Sequence, residues 1–594
     1  MKANKILIAA LALSALAACS KQATEPETPG FDGEKSYLNV KIAYTDASLT
    51  KATGDDTNPF YYGTADEQAV VSATFFFYNE DGTYNTTVTR SINGTGKTSG
   101  AGTENVEWVG DGVVVLTNID KKPKYMGVVL NAGDKLIADL NAAKNATEAE
   151  AVVSDKLASE DASGKWTNFV MSSSSYVNGK TYYFLNELNT AADGDFKSSE
   201  AEALKASPVV VYVERLASKV ELKSVDKFSL GEYTVDGTNK EQLFAKINAW
   251  GLNATTKDIY CYKSIDTKWD FKFKKSTNDA GTSWSDPTNF RTYWGKSTNY
   301  ELTSAYYPDS YANSETGRNY NDAAKTKTLE YIKYSGIEVP VNSAAYCREN
   351  TNDPTWFTAA TLGTLNYNST FTSILLKATL VDNTDAAVDV INYDGQLYTV
   401  AGYENRILNK YKTLDADKYI PYTRSGDAAP YTYTQVTNAN FKAPEDLHDG
   451  YTGLQFADGA YYKKESDGSY TTLTAEQATK MLNYGDKASS KTSYDNTLAS
   501  YYKEGQMYYT IPIEHLNNTA KYNNVDGKAC AEGDYGVVRN HYYSVTVNSI
   551  GNLGTAVYNP DEEIIPNDKA NQKYYLAAKV NILSWKVVKQ SVDL

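Results

Sequence analysis

Residues 36–44 read SYLNVKIAY, a stretch in which apolar side chains alternate cleanly. Its larger apolar side chains, Leu38, Val40, Ile42 and Tyr44, alternate with Asn39, Lys41 and Ala43. A repeat of two places the first four on one face of a β-strand and leaves the other face more polar. The stretch therefore predicts a half-buried strand and a protein built from sheets.

The composition agrees with a sheet protein. The 594 residues include 49 tyrosines, against 17 phenylalanines and 8 tryptophans. Tyrosine and threonine favour strands, while asparagine, glycine and aspartate favour the turns between them. Short strands with polar turns predict a mainly β chain of two antiparallel β-sandwich domains, with a few short helices and long loop insertions. A net charge of −15 without a basic stripe argues against a nucleic-acid partner.

The first residues predict an export signal. Lys2 and Lys5 precede an apolar run, Ile6–Ala18, that is too short to span a bilayer and has the layout of a signal peptide. It ends at Leu16-Ala17-Ala18-Cys19, which matches the bacterial lipoprotein signal; a cysteine after an ordinary signal peptide is the alternative. We expect Cys19 to carry lipid that anchors the protein to a membrane without spanning it.

A second alternating stretch ends the sequence. From Tyr574 to Leu594 it reads YYLAAKVNILSWKVVKQSVDL, and its alternation shifts by one residue at Leu583–Val587, which predicts a bend or bulge. A strand in this position needs a partner, which another copy of the protein could supply. The residues expected to form it are Val580, Ile582, Trp585, Val587, Val588, Val592 and Leu594.

Catalysis and metal binding have weak candidates. Cys347 or Cys530 could act as a nucleophile with His515 or His541 as the base, but packed structural side chains are the favoured interpretation. The three histidines lack metal-ligand spacing. We therefore expect no enzyme activity and no cofactor.

Two further features leave alternatives open. Asp382–Asp389 (DNTDAAVD) lacks the glycine and spacing of an EF-hand loop, so a solvated turn is favoured over a calcium site. Cys261, Cys347 and Cys530 allow at most one disulfide, and the sequence leaves their pairing open.

The order of several motifs resembles the fimbrillins of type V pili, nearest to the polymerising (stalk) subunit of the short, or minor, fimbria. The motifs are the lipoprotein signal at Cys19, Leu49-Thr50-Lys51-Ala52, Glu214-Arg215-Leu216-Ala217, Tyr535–Tyr543 and Trp585-Lys586-Val587-Val588. The resemblance implies transthyretin-like sandwiches and a surface fibre that serves adhesion.

The resemblance also implies a mechanism. An outer-membrane lipoprotein precursor is cut between Lys51 and Ala52 by a trypsin-like surface protease, and the strand of Leu38, Val40, Ile42 and Tyr44 is displaced. The C-terminal strand of another copy fills the vacated groove, so that the fibre grows head to tail by donor-strand exchange. Anchor and tip subunits are the other implied partners.

One departure concerns the cut. Well-known members of this family are cut after arginine, whereas Lys51 stands here, which implies a lysine-tolerant protease or a different site. Arg90 lies inside a predicted strand and is a poorer candidate. The alternative function is a surface lipoprotein that binds carbohydrate without polymerising.

These expectations divide the chain into five segments. The regions near 265–330 and 415–500 are interpreted as long loops or insertions, and Ala132–Leu157 is predicted to be one or two helices. The segments are a signal peptide (1–19), a propeptide with the first strand (20–51), an N-terminal sandwich (52–225), a C-terminal sandwich with insertions (226–577) and a donor strand (578–594).

Overall fold

The structure is a computed structural model that describes fourteen stretches of the chain. No helix among them is long and apolar enough to cross a membrane. The described residues are 36–45, 63–91, 94–96, 106–117, 119–175, 184–236, 239–265, 295–299, 329–351, 371–444, 453–484, 499–515, 535–564 and 586–593.

Within its described stretches, the N-terminal part holds thirteen strands and three short helices. The predicted helical region contains two helices, which confirms that expectation. The helices are α1 (Asp134–Ala142), α2 (Ala146–Glu150) and α3 (Glu200–Ala203). The strands are β1 (Ser36–Thr45), β2 (Ala73–Tyr78), β3 (Tyr84–Arg90), β4 (Gly94–Gly96), β5 (Val106–Leu116), β6 (Tyr125–Leu130), β7 (Val153–Ser154), β8 (Ser159–Glu160), β9 (Trp166–Thr167), β10 (Met171–Ser173), β11 (Asn186–Glu187), β12 (Phe196–Lys197) and β13 (Val209–Arg215).

Ten of these strands form one sheet whose two ends share a core. The order is β3-β2-β6-β10-β13-β1-β5-β4, with β11 beside β6 and β12 beside β1. Leu38 of β1 and Val114 of β5 pack in the same buried cluster as Phe75 of β2 and Val128 of β6. The sheet therefore encloses its core as a sandwich does, with the apolar face of the first strand inside it.

The C-terminal part adds the remaining strands and the longest helix. The strands are β14 (Ser218–Lys223), β15 (Lys227–Asp236), β16 (Asn239–Asn253), β17 (Thr255–Thr256), β18 (Ile259–Tyr260), β19 (Leu329–Glu330), β20 (Ala344–Cys347), β21 (Ser373–Val381), β22 (Val390–Tyr393), β23 (Gln396–Tyr398), β24 (Tyr422–Ser425), β25 (Thr432–Gln435), β26 (Tyr461–Lys464), β27 (Tyr470–Leu473), β28 (Ala499–Tyr502), β29 (Gln506–Pro512), β30 (His541–Ser549), β31 (Thr555–Ala556) and β32 (Lys586–Asp593). The helices are α4 (Val400–Tyr419), α5 (Ala475–Tyr484) and three 3₁₀ turns at Tyr334–Gly336, Asn438–Asn440 and Lys503–Gly505.

Two sheets of this part face one another across a second core. One has the order β20-β14-β30-β32, and the other β28-β22-β23-β15-β16-β21-β29-β31. Val220 and Val545 from the first sheet pack with Ile374 and Ile511 from the second. This is a second sandwich, and the mainly β fold class is confirmed.

The sandwiches are not purely antiparallel. β1 runs parallel to β13, β14 parallel to β30, and β30 parallel to β32. Parallel neighbours need long connections, and each of these pairs is far apart in sequence. The apolar-rich stretch Pro208–Leu222 predicts a strand pair or a bent strand. It forms a pair, β13 and β14, whose two strands belong to different sandwiches.

The region expected to be a long loop or insertion near 415–500 has its own structure. Strands β24–β27 form a four-stranded antiparallel sheet, and α5 follows them. Its core combines Tyr411 of α4, Phe441, Tyr461 of β26 and Leu482 of α5. The low hydrophobicity of this stretch hid these elements, because its core is built largely from tyrosine.

Candidate functional site

The first strand lies in a slot between other strands. Along one side, Ser36–Thr45 pairs antiparallel with β5 over nearly its whole length, from Ser36 opposite Leu116 to Thr45 opposite Val106. Because both of its edges are bonded, β1 is an interior strand of the sheet. Its removal would leave two rows of backbone groups without partners.

Two elements form the other side of the slot. β12 pairs antiparallel with Tyr37 and Leu38, and β13 pairs in parallel with Val40–Ala43. Between them, the Asn39 side-chain amide donates a hydrogen bond of 3.0 Å to the carbonyl of Ala206. The segment from β12 through α3 to β13 is therefore a continuous wall against the first strand.

The floor of the slot is apolar. Leu38 is 0% exposed and Val40 is 2% exposed, and both pack in the N-terminal core. Leu116, Phe196 and Val211 from the neighbouring strands are buried beside them. Each filled position of this kind contributes about 1.5–3 kcal/mol through apolar burial.

The structure describes only some of the other site residues that were predicted near the start of the chain. Ile42 and Tyr44 lie in β1, opposite Gly110 and Trp108 of β5. Cys19, Lys51 and Ala52 lie outside the described residues. The lipidation and cleavage sites therefore stay predictions.

The C-terminal strand has a partner within its own chain. β32 pairs in parallel with β30, from His541 opposite Lys586 to Ser549 opposite Asp593. It is the last strand in the order β20-β14-β30-β32, so its other edge has no neighbour among the described strands. The sequence did not identify β30 as a partner, because parallel pairing across a long connection has no local signal.

Three of the seven predicted donor residues, Val587, Val588 and Val592, lie in β32. The described residues do not include Val580, Ile582, Trp585 and Leu594. The predicted bend at Leu583–Val587 lies mostly outside the described part, and the register shift that is seen falls between Val547 and Ser549 of β30.

Buried ion pairs connect the slot to the sheet that carries the tail. Lys219 of β14 lies 2.7 Å from the Glu67 carboxylate, which also accepts a 2.6 Å hydrogen bond from the Tyr346 hydroxyl. Arg215, the last residue of β13, donates to the Glu67 carbonyl at 3.0 Å and to the Asn540 side chain at 3.3 Å. Residues of both sandwiches therefore meet at Glu67.

The electrostatics of Glu67 follow from these contacts. Burial by itself would raise the pKa of this carboxyl group, but Lys219, the Tyr346 hydroxyl and Arg215 outweigh burial and lower the pKa below its ordinary value. Glu67 is 1% exposed and stays charged only because its cations are present. The joint formed by Glu67, Lys219, Tyr346 and Arg215 therefore stabilises the protein when it is complete. Loss of one of its cations would leave a buried charge uncompensated and lower the free energy of unfolding.

Two further buried ion pairs lie near Glu67 and Arg215. Arg539 lies 3.1 Å from Glu349, and its guanidinium also donates to the carbonyls of Tyr260 and Cys261. Lys263, 3.0 Å from Glu214, has a pKa lowered by burial. Glu214 and Arg215 belong to one of the motifs of the family resemblance, and the sequence did not predict their partners.

The cysteine and histidine candidates are packed in cores. Burial raises the pKa of Cys261 and of Cys347 to about 12, so neither forms a thiolate at neutral pH. His515 and His541 are buried, with ring centroids 5.2 Å apart. The His515 Nδ1 is 2.8 Å from the Tyr543 hydroxyl, a structural contact that the sequence did not predict.

Metal binding also lacks a described site. No group of three or more histidine, cysteine, aspartate or glutamate side chains in the described stretches could hold a metal ion. The Asp382 carboxylate accepts hydrogen bonds from the Thr384 and Ala386 backbone amides, and Asp385 pairs with Lys227 and Lys246. The first residues of Asp382–Asp389 therefore form a solvent-exposed turn, as the favoured interpretation predicted. Cys530 lies outside the described residues.

Several solved structures are similar to this chain. No curated protein matches it in sequence. A putative cell adhesion protein from Parabacteroides distasonis is 14% identical, with coverage of 94% of this chain and 99% of that one and a TM-score of 0.31. A fimbrilin (fimA) from Porphyromonas gingivalis is 10% identical, with coverages of 94% and 97% and a TM-score of 0.30. The tip fimbrial protein Mfa3 of Porphyromonas gingivalis is 11% identical, with coverages of 67% and 98% and a TM-score of 0.24.

The sequence match to a family is confined to the end of the chain, where it begins within β28 and ends within β32. Residues 500–591 match the family described as major fimbrial subunit protein type IV, fimbrillin, C-terminal.

Proposed function

We propose that this protein is a structural subunit of a surface fimbria that polymerises by donor-strand exchange. In this proposal the chain is exported as an outer-membrane lipoprotein through Cys19, cut between Lys51 and Ala52, and then loses its first strand. The C-terminal strand of another copy fills the slot. The product is an extracellular head-to-tail stalk that serves adhesion, joined by anchor and tip subunits.

The observation that carries the proposal is the interior position of β1. A strand bonded on both sides, with Leu38 and Val40 fully buried, leaves a groove with two open edges when it departs. A new strand recovers main-chain hydrogen bonds along both edges and fills the apolar floor. The fimbrillin match over residues 500–591 supports the same assignment from the other end of the chain.

The pairing of β32 with β30 of its own chain adds a requirement to the proposed exchange. β32 must leave β30 before it can enter another subunit, so the exchange replaces one parallel edge pairing with a position between two strands. Parallel edge pairing is the weaker of the two, because it offers one ladder instead of two. The exchange is therefore favourable in backbone hydrogen bonding. Because the contact is head to tail, it produces an open filament.

The first test removes the tail. Deletion of residues 578–594 should abolish the ladder of polymers on gels run without heating, while circular dichroism of the truncated chain keeps its β signature. Ladders that persist unchanged would contradict donation by this strand. A folded but purely monomeric truncation is the expected outcome.

The second test addresses the cut. Lys51→Ala should leave an unpolymerised precursor of full mass, and mass spectrometry of the mature N-terminus should identify Ala52 in the parent chain. Arg90→Ala is the matched control, since Arg90 is an exposed basic residue at the end of β3. Normal fibres from Lys51→Ala would place the cut elsewhere without affecting the tail experiment.

A further inference from the structure

The insertion sheet β24–β27 has two different faces. Tyr461 and Leu473 are opposite one another and pack toward α4 and α5. Alternation places their neighbours on the outward face. Register pairs put eight residues there: four tyrosines, two cations, Gln435 and Thr472. The tyrosines are Tyr422, Tyr433, Tyr462 and Tyr470, and the cations are Arg424 and Lys464.

The four tyrosine rings form one cluster. Tyr433 and Tyr470 stack with centroids 3.7 Å apart and planes 2° apart. Tyr462 meets Tyr433 edge-on at 5.1 Å, and Tyr422 meets Tyr470 edge-on at 5.4 Å. Tyr422 and Tyr462 are buried, whereas Tyr433 and Tyr470 are half-buried. The cluster is an aromatic platform whose upper rings, those of Tyr433 and Tyr470, are in reach of solvent.

Arg424 stands beside this platform. Its Cζ lies 4.2 Å from the ring centroid of Tyr431 and 5.3 Å from that of Tyr462. Ring contacts orient the plane of a guanidinium and leave its N–H edge to bind an anion. Lys464, on the same face, is paired with Asp417 at 2.9 Å. No described carboxylate lies within ion-pair distance of Arg424, although the chain carries a net charge of −15.

We propose that the outward face of β24–β27 binds a carboxylated saccharide, such as a sialate or a uronate. The Arg424 guanidinium would hold the sugar carboxylate in a two-point, charge-assisted contact, which matches its planar donor edge. Tyr431, which is 39% exposed, and the upper rings of the platform would take the apolar C–H face of the sugar. A cation without an internal carboxylate partner, in an acidic chain, is the charge complement of such a ligand.

This inference goes beyond the proposed fimbrial role and does not depend on it. The face lies in the insertion, whereas the slot and the tail lie in the ten-stranded sheet and on β30. If the protein forms the stalk of a fimbria, saccharide binding would make that fimbria adhesive along its whole length. Failure of polymerisation would leave the saccharide prediction intact, and the reverse also holds.

The test uses the full chain with three probes: sialyllactose, a glucuronate-terminated disaccharide and lactose. Calorimetric or surface-based titration should give weaker binding of lactose than of the two acidic probes by at least about tenfold. Arg424→Gln should weaken the acidic probes by roughly ten- to a hundredfold, and Arg424→Lys should recover only part of the loss. Raised salt should weaken the acidic probes too.

The matched control is Lys463→Gln, a cation change on the opposite face of the neighbouring strand, which should leave binding unchanged. Near-ultraviolet circular dichroism of the tyrosines reports whether each variant keeps the platform. Equal binding of lactose and sialyllactose would overturn the proposal. So would acidic-probe binding that Arg424→Gln does not change, a lack of binding to either acidic probe, or self-association through this face that the probes do not displace.

Discussion

β1 and β32 carry similar alternating sequences but occupy different kinds of position. β1 is bonded on both edges, antiparallel to β5 and parallel to β13. β32 is bonded to β30 alone and ends its sheet. An interior strand is held by two ladders and a core, and an edge strand by one ladder. Departure of the first strand would therefore break two ladders and open a core, whereas departure of the last strand would break one ladder.

The largest expected effect comes from locking the edge strand in place. Thr546 and Ser591 are register partners in β30 and β32. Neighbouring strands lie about 4.8 Å apart, within the roughly 4.4–6.8 Å between Cα atoms that a disulfide spans. The oxidised Thr546→Cys/Ser591→Cys chain should not polymerise, and reductant should restore the ladder on unheated gels. Ser591→Cys alone is the control, and polymers from the oxidised double variant would show that the tail need not leave β30.

The next largest effect is expected from breaking the joint at Glu67, where the two sandwiches meet. Lys219→Met leaves the buried Glu67 carboxylate without its closest cation, which should lower the free energy of unfolding by about 3–5 kcal/mol in urea titration. Lys219→Met/Glu67→Gln should regain much of this loss, because the unpaired charge is gone. A double variant as unstable as the single one would assign the loss to packing.

The pH dependence of the same pair has a definite sign. In the parent chain the pKa of Glu67 is lowered, so its stabilising contribution is complete above the unfolded carboxyl value of about 4.3 and is lost as pH falls through the folded value. In Lys219→Met, burial should dominate and raise this pKa, so that acidification returns stability. Urea midpoints measured between about pH 3 and 7 should therefore slope in opposite directions at the acid end.

A core substitution compares the two strands directly. Leu38→Ala should cost about 2–5 kcal/mol, because the side chain is completely buried in a shared core. Val588→Ala, on the edge strand, should cost less than about 1 kcal/mol. Hydrogen exchange should locate the loss of stability in Leu38→Ala to β1, β5 and β13. In Val588→Ala it should locate the loss to β30. Equal losses would mean that the edge strand is as firmly held as the interior one.

The smallest effect concerns the wall of the slot. Asn39→Ala removes the hydrogen bond to the Ala206 carbonyl and should cost about 0.5–1.5 kcal/mol, seen as faster exchange at Val40–Ala43. Gln590→Ala in β32 is the control and should change no exchange rate in the slot. An unchanged rate in Asn39→Ala would mean that the wall is held by backbone pairing alone.

Much of the fold could be predicted from local patterns. The apolar run SILLKATLV at Ser373–Val381 predicts a strand, and Asp81-Gly82 between two strand-like runs predicts a hairpin turn. The structure has a strand over Ser373–Val381 and a hairpin of β2 and β3, with Gly82 at a positive φ of 80°. Such elements were predictable because alternation and turn residues act within a few positions. The insertion sheet was not predicted, because its stretch has low hydrophobicity and its core is built largely from tyrosine.

The candidate site likewise has parts that the sequence predicts and parts that it does not. The alternating pattern is sufficient to predict that 36–44 is a strand with an apolar face that includes Leu38 and Val40, and that 586–593 can form another strand. The positions of β1 between β5 and β13 and of β32 beside β30, and the contact of Glu67 with Lys219 across the two sandwiches, are visible only in the folded chain. The two groups of features differ in the sequence distance over which they are specified. A side-chain pattern sets which face of a strand is buried, but strand neighbours and buried ion pairs depend on residues far away in sequence, and nothing local specifies those.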